Sequence, residues 1–260
     1  MKNLTLALSI VVAAAGPLAA AELKIGTSAD YAPWESVDAA GQIVGFDRDV
    51  GDEMCKRIQA TCTWENQAFD GLLPGLQVGK FDLVISGVSI NEERSKKVEF
   101  SVAYSDAPHS IAIAAGGTGK DATSAAELVE ALKGKAIGVQ TGSTHEQVIK
   151  AHFPDATVRI YDRPEQVADD IKAGRIDAGL MERSAWEPLM AASGGKIVFA
   201  GPLLTSSDFV EFGHGQGIVL RKGQDELKAK VDAAVVDLLK DGTLKTLSQK
   251  WFGYDVSARP

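Results

Sequence analysis

Short β-prone apolar runs alternate with amphipathic stretches along most of this 260-residue chain, and two polar, glycine-bearing switches interrupt them. The first runs fall at residues 23–27, 61–64 and 81–86. Between them, Val50, Met54 and Ile58 recur at a four-residue spacing that predicts a helix from about Asp47. Residues 69–77 read as a shorter helix despite Gly71 and Pro74. A second series follows, with strands at 136–139, 158–161 and 178–181 and helices at 144–153 and 165–173. Pro164 suits the start of the last helix, because its missing N–H costs nothing in a first turn. The alternation predicts an α/β fold on an open, mostly parallel sheet.

The switches lie at residues 104–108 and 205–217. After the first, residues 110–115 are strand-like and Gly116-Gly117-Thr118-Gly119 is a flexible turn. After the second, residues 217–220 read as a strand. Leu227, Val231, Ala234, Val235 and Leu238 then form a helical stripe, and Leu244, Leu247 and Trp251 start another face beyond Asp241-Gly242. Two switches around a middle block predict two lobes joined by two crossings. Residues 22–107 with 213–260 form lobe I, and 108–212 form lobe II. A single continuous α/β domain would show a similar periodicity, and that alternative stands.

The amino terminus reads as an export signal. Lys2 precedes an apolar run over residues 4–15, and Ala19-Ala20-Ala21 supplies a small-residue cleavage site, giving a leader of residues 1–21. Gly16-Pro17 breaks the run before the roughly 20 residues that a membrane span needs. The 239 residues that remain carry a formal charge of −9 rather than −8, because Lys2 leaves. An acidic chain without a dense Lys/Arg block disfavours nucleic acid as a partner. Cys55 and Cys62, seven positions apart in an exported protein, suit one local disulfide. With no histidine beside them they make a poor zinc site.

The chemistry concentrates at residues 86–94, Ser-Gly-Val-Ser-Ile-Asn-Glu-Glu-Arg, which follow the buried run at 81–85. Arg94 offers a carboxylate a rigid two-pronged fork. Ser86 and Ser89 fall where the carboxyl ends of strands usually form a binding crevice. Surface pairing of Arg94 with Glu92, Glu93 or Glu99 is the competing reading. Gly142-Ser143-Thr144 is a second strand-to-helix turn whose amides and Thr144 hydroxyl suit an anion, or simply cap a helix. Glu182 follows a buried strand and suits an ammonium group, or a pairing with Arg183. Tyr31, Trp34 and Phe69 are aromatics in loop-like settings, suited to covering a ligand stem, with a core role for Trp34 as the alternative.

His109, His145, His152 and His214 show no metal-ligand spacing, and adjacent His145 and Glu146 do not face together on a helix. The nucleophile elbow, the dinucleotide glycine fingerprint and the phosphate-binding Gly-Lys-Ser/Thr motif are absent. The expectation is a binding protein, not an enzyme, without cofactor or metal.

These motifs together resemble the periplasmic solute-binding proteins of polar amino-acid ABC transporters, in the lysine/arginine/ornithine-, histidine- and opine-binding group (solute-binding protein family 3). The resemblance runs from Leu23 to Tyr254. It rests on Ile25-Gly26-Thr27 with Tyr31-Ala32-Pro33, Gly45-Phe46-Asp47, Met54-Cys55-Lys56-Arg57, Phe69-Asp70, residues 86–94, Gly142-Ser143-Thr144, Asp241-Gly242-Thr243 and Trp251-Phe252. It implies a two-lobed clamshell (type II) that closes on an amino acid and then docks on a membrane permease. The position matching Arg94, helped by those matching Ser89 and Thr144, takes the α-carboxylate. The position matching Glu182 takes the α-ammonium, although basic-amino-acid binders usually carry Asp there. Tyr31 and Phe69 match the pair that sandwiches the side chain, and Cys55 and Cys62 match the family's small disulfide loop.

Ser28 departs from the pattern, since lysine- and arginine-binding relatives hold the distal cation with a carboxylate there. Gly87 likewise lacks a hydroxyl found in close relatives. Asp30 or Glu35 would have to serve instead. A basic amino acid is therefore expected first, with an opine such as octopine or nopaline, or a polar neutral amino acid, as the alternative. An exported enzyme resembling cyclohexadienyl dehydratase, a related clamshell, comes after these. A monomeric periplasmic protein partnered by an inner-membrane ABC permease completes the expectation.

Overall fold

A computed structural model of the chain describes residues 21–259, so the expected leader lies outside the described residues up to Ala21. The chain opens with β1 (Glu22–Thr27), then β2 (Asp30–Tyr31), β3 (Glu35–Val37) and β4 (Ile43–Val44), which form a small separate sheet. Next come α1 (Phe46–Arg57), β5 (Thr61–Asn66), α2 (Phe69–Gln77), β6 (Leu83–Val84), α3 (Glu92–Ser95) and β7 (Glu99–Phe100). The middle block holds β8 (His109–Ala114), α4 (Ala125–Ala131), β9 (Ala136–Gln140), α5 (Thr144–His152) and β10 (Thr157–Tyr161). It continues with α6 (Pro164–Lys172), β11 (Ala178–Glu182), α7 (Arg183–Ala192) and β12 (Ile197–Leu204). A 3₁₀ turn at Val210–Phe212 leads back to β13 (Val219–Leu220), α8 (Asp225–Lys240) and α9 (Thr243–Phe252).

These strands build two five-stranded sheets, ordered β5-β1-β6-β13-β7 and β10-β9-β11-β8-β12. Neither is wholly parallel. In the first, β5-β1 and β1-β6 pair parallel while β13 runs against both neighbours. In the second, β10-β9 and β9-β11 pair parallel while β8 runs against both neighbours. A β-α-β crossover returns the chain to the starting end of a sheet and so yields parallel neighbours. β8 and β13 are instead each the first strand after a passage from the other lobe, and each runs the opposite way.

Alternation along the strands feeds two apolar layers per lobe. Leu83, Ile85 and Leu220 pack with Val50 and Met54 of α1 and Val231, Val235 and Leu238 of α8, whereas Val84 and Val219 meet Leu72 and Leu76 of α2. In the other lobe, Ile111, Ile113 and Leu180 join Leu128 of α4 and Val148 and Ile149 of α5, while Ala112 and Met181 face Val167, Ile171 and Trp186 of α6 and α7. Residues 183–192 and 197–204 gave no periodic sequence signal, because Pro188 interrupts α7 and Gly201-Pro202 interrupts β12. Cys55 and Cys62 are bonded, tying the last turn of α1 to β5.

The two crossings run side by side. The Gln216 N–H donates to the Ser105 carbonyl at 2.8 Å, and the Tyr104 N–H donates to the Gln216 carbonyl at 2.9 Å. Gly215 is required here: its φ is +79°, and a Cβ would fall 2.4 Å from the Ser105 oxygen. Among the described residues no helix is long and apolar enough to cross a membrane.

Candidate functional site

The carboxyl ends of the parallel strands of both sheets meet at one place, the usual position of a crevice in such folds. β1 delivers Ser28, β6 delivers Ser86, Gly87 and Ser89, β9 delivers Gln140, and β11 delivers Glu182. These residues line a small interlobe cavity. Asp30, Tyr31, Glu35, Phe69, Arg94, Ser143, Thr144 and His145 complete the wall.

Arg94 sits in the short helix α3, whose cap is Asn91: its side-chain oxygen accepts from the Arg94 N–H at 3.0 Å. Arg94 is 6% exposed, and its guanidinium donates to the Ser89 carbonyl (3.1 Å) and, across the cleft, to the Gly142 carbonyl (3.1 Å). It lies 5.7 Å from the centre of the Phe69 ring. Among the described residues no carboxylate pairs with it; Glu92 and Glu93 pair with Lys96 and Lys97 instead. Burial lowers its pKa to about 10, so a charged group stands desolvated beside a cavity.

The facing turn divides its duties. The Ser143 side chain caps α5 by accepting the Glu146 N–H at 3.1 Å, and the Gly142 N–H is engaged by the Glu146 carboxylate at 2.8 Å. Thr144, 2% exposed, begins the helix and lines the cavity. The turn's offer to an anion therefore rests on Thr144 rather than on the whole Gly-Ser-Thr run.

Glu182 ends β11 with 5% exposure. Its carboxylate accepts from the Tyr31 hydroxyl of the other lobe, and its own N–H donates back to that oxygen at 3.3 Å. Burial and the nearby Glu182 charge push the Tyr31 phenol well above its ordinary value. On the far wall, Ser86 Oγ donates to Glu35 at 2.7 Å, and Ser28 Oγ donates to Asp30 at 3.1 Å. The second oxygen of Glu35 is buried without an N–H or hydroxyl donor, and the Asp47 carboxyl is the group that can share a proton with Glu35. Burial raises Asp30 to about 6, and burial together with Asp47 raises Glu35 well above the usual carboxylate range. Asp47, lifted to about 7 by burial, holds the Tyr104 hydroxyl (3.0 Å) and the Gly87 N–H (2.5 Å). Gly87 has φ +53°, a backbone state that side chains resist.

Trp34 is a correction. It does not line the cavity; it is fully buried between Phe46 and Phe252, 5.6 and 5.1 Å away between ring centres. Its indole N–H donates to Ser184 Oγ of the other lobe at 2.9 Å. It is a core residue that also touches across the cleft.

Sequence reasoning missed Gln140 and the histidines. His145 follows Thr144 in the first turn of α5, which was the one local signal available. His109 begins β8 and is the cross-strand partner of Glu182. The two imidazoles meet at 2.9 Å through His109 Nδ1 and His145 Nε2, and Phe212 stacks on His109 at 3.7 Å. Burial lowers both to about 3, helped at His145 by the Arg94 charge, so both are neutral at pH 7. The histidines carry no metal-ligand spacing in the sequence, yet His109, His145 and Glu182 converge from three distant segments with donor atoms within 4.8 Å of one another.

The chain is 38% identical over 252 residues to the putative ABC transporter arginine-binding protein 2 of Escherichia coli K12, covering 97% of this chain and 99% of that protein. It is also 38% identical over 265 residues to the lysine/arginine/ornithine-binding periplasmic protein of the same strain, covering 98% and 99%. Among solved structures, an arginine-specific periplasmic binding protein of Salmonella typhimurium superposes with a TM-score of 0.78 at 32% identity, covering 90% of this chain and all of that one. All three are binding proteins. The family model for bacterial extracellular solute-binding proteins, family 3, matches residues 23–254, and the chain belongs to that family.

Proposed function

We propose that this chain captures a basic L-amino acid of the arginine, lysine, ornithine or histidine type in the periplasm and delivers it to an ABC permease, as a monomer and without catalysis. One observation carries the reading: the cavity is bipolar, with a desolvated Arg94 at one wall and buried carboxylates at the others. Arg94 takes the α-carboxylate, with Ser89 and Thr144 beside it. Glu182 takes the α-ammonium. Tyr31 and Phe69 flank the side chain, and Ser86 and Gly87 form the floor beneath it.

The distal cation meets Asp30 and Glu35 rather than Ser28. A guanidinium beside them would favour the ionised form of both carboxyls. Closure of the lobes on the ligand presents the surface that a permease reads, and binding energy alone drives the shift.

A second reading has its own observation. Ser28 and Asp30 also line an outer groove with Asn66, Gln67, Arg163 and Gln166. A longer ligand with a second carboxylate, such as an opine, would reach Arg163 there. Calorimetry with arginine, lysine, histidine, glutamine and octopine separates the two. Micromolar or tighter binding of a basic amino acid supports the first; absence of any such binding rejects it, and preference for octopine selects the second. A turnover assay with arogenate or prephenate is expected to show no rate above background.

A further inference from the structure

His109, His145 and Glu182 form an arrangement that amino-acid capture uses only at Glu182. His109 and Glu182 are directly opposite on antiparallel β8 and β11, so the strand pairing itself sets them side by side. His145 closes the group from α5. The separations are 2.9 Å between the imidazole nitrogens, 3.5 Å from His145 Nε2 to Glu182 Oε2 and 3.9 Å from His109 Nδ1 to Glu182 Oε1. A tetrahedral zinc ion with bonds of about 2.0–2.1 Å spaces its donors by about 3.3 Å. With one donor atom from each residue the three lie within 4.8 Å of one another, so the Glu182 carboxylate has to move by up to about 1.5 Å to bring all of them to that spacing.

We propose that these three side chains bind a divalent transition-metal ion of the zinc type, and that the ion excludes an amino acid from the cleft. Two imidazoles and one carboxylate form a donor set that suits zinc and poorly suits magnesium or calcium, which take mainly oxygen. The supporting shell is built: Phe212 stacks on His109, and the Tyr31 hydroxyl fixes the Glu182 carboxylate. Access exists from two sides, because His145 and Glu182 line the interlobe cavity and His109 lines a separate cavity beside the crossings. The Arg94 charge near His145 opposes the ion and weakens the site relative to a structural zinc centre. Three protein ligands leave the fourth position to water. Exclusion follows because the metal takes the carboxylate that the α-ammonium needs; that half rests on the function proposed above, whereas metal binding does not.

The test is titration of metal-stripped protein with Zn²⁺ alone, by calorimetry or equilibrium dialysis. One zinc per chain is expected, bound at least about tenfold more weakly in His109→Ala and in His145→Gln, and unchanged in His152→Ala, whose imidazole pairs with Glu211 elsewhere. Melting curves confirm that each variant is folded. Absence of stoichiometric zinc, or zinc binding that survives both cavity variants, overturns the site. In a second arm, saturating zinc is expected to weaken arginine binding by about tenfold or more in the parent and not in His109→Ala. Unchanged arginine affinity in the presence of bound zinc overturns the exclusion. A chain that binds no amino acid at all would defeat the functional reading while leaving the zinc titration decisive for the metal site.

Discussion

Tyr31 and Glu182 stand on opposite lobes and close on each other, hydroxyl to carboxylate and amide back to hydroxyl. The ligand's ammonium would share this carboxylate with the phenol, so the contact links closure to recognition. Tyr31→Phe keeps the ring and removes the hydrogen bond. A bond to a charged group contributes about 1.5–3 kcal/mol, so calorimetry should show roughly 10–100-fold weaker arginine binding. Small-angle scattering at a subsaturating arginine concentration should show a larger radius of gyration for the variant than for the parent.

Proton linkage follows from the carboxyls at the distal wall. Asp30 is raised from 3.8 to about 6 and Asp47 to about 7, with Glu35 raised too, each mainly by burial. The folded chain thus retains protons that the unfolded chain has already lost. Stability of the ligand-free protein from Asp30 and Asp47 falls as pH rises from about 4 through about 7, and Glu35 adds a loss in the same direction. A cationic side chain favours the ionised carboxylates, so binding releases protons and affinity for arginine rises across the same window. Titrations in buffers of different ionisation enthalpy measure that release directly. Glu35→Gln should weaken arginine by about 1.5–3 kcal/mol and flatten its pH dependence.

Two glycines should respond differently to alanine. At Gly87 a Cβ would find room, 3.8 Å from Trp34, so the penalty is the left-handed backbone alone. That costs roughly 1–2 kcal/mol and a melting temperature lower by roughly 2–8 °C. At Gly215 the same backbone cost combines with a 2.4 Å approach to the Ser105 carbonyl. Thermal melts should show a larger drop for Gly215→Ala, because the paired crossings must separate.

The fold was legible where periodicity was unbroken. Val50, Met54 and Ile58 announced α1, and the stripe from Leu227 to Leu238 announced α8. Strand direction was not legible, because β8 and β13 look like any buried strand and their reversal depends on entry from another lobe. In the site, Arg94, Glu182 and Thr144 could be singled out because each follows a strand or turn with a local signature. Trp34 misled because a loop aromatic carries no sign of which way its ring turns. His109 could not be paired with His145 from sequence, since 36 positions separate them and only the tertiary packing of β8 and α5 brings them together.

The central claim is that a buried guanidinium without a carboxylate partner among the described residues grips the carboxylate of the solute. Calorimetry of Arg94→Ala and Arg94→Lys with the solute bound best by the parent addresses it most directly. The account predicts at least about 100-fold weaker binding for alanine, and a loss for lysine too, since an ammonium cannot reproduce the two-pronged geometry. Both variants should melt as cooperatively as the parent. An Arg94→Ala protein that is folded and binds the solute with unchanged affinity would contradict it.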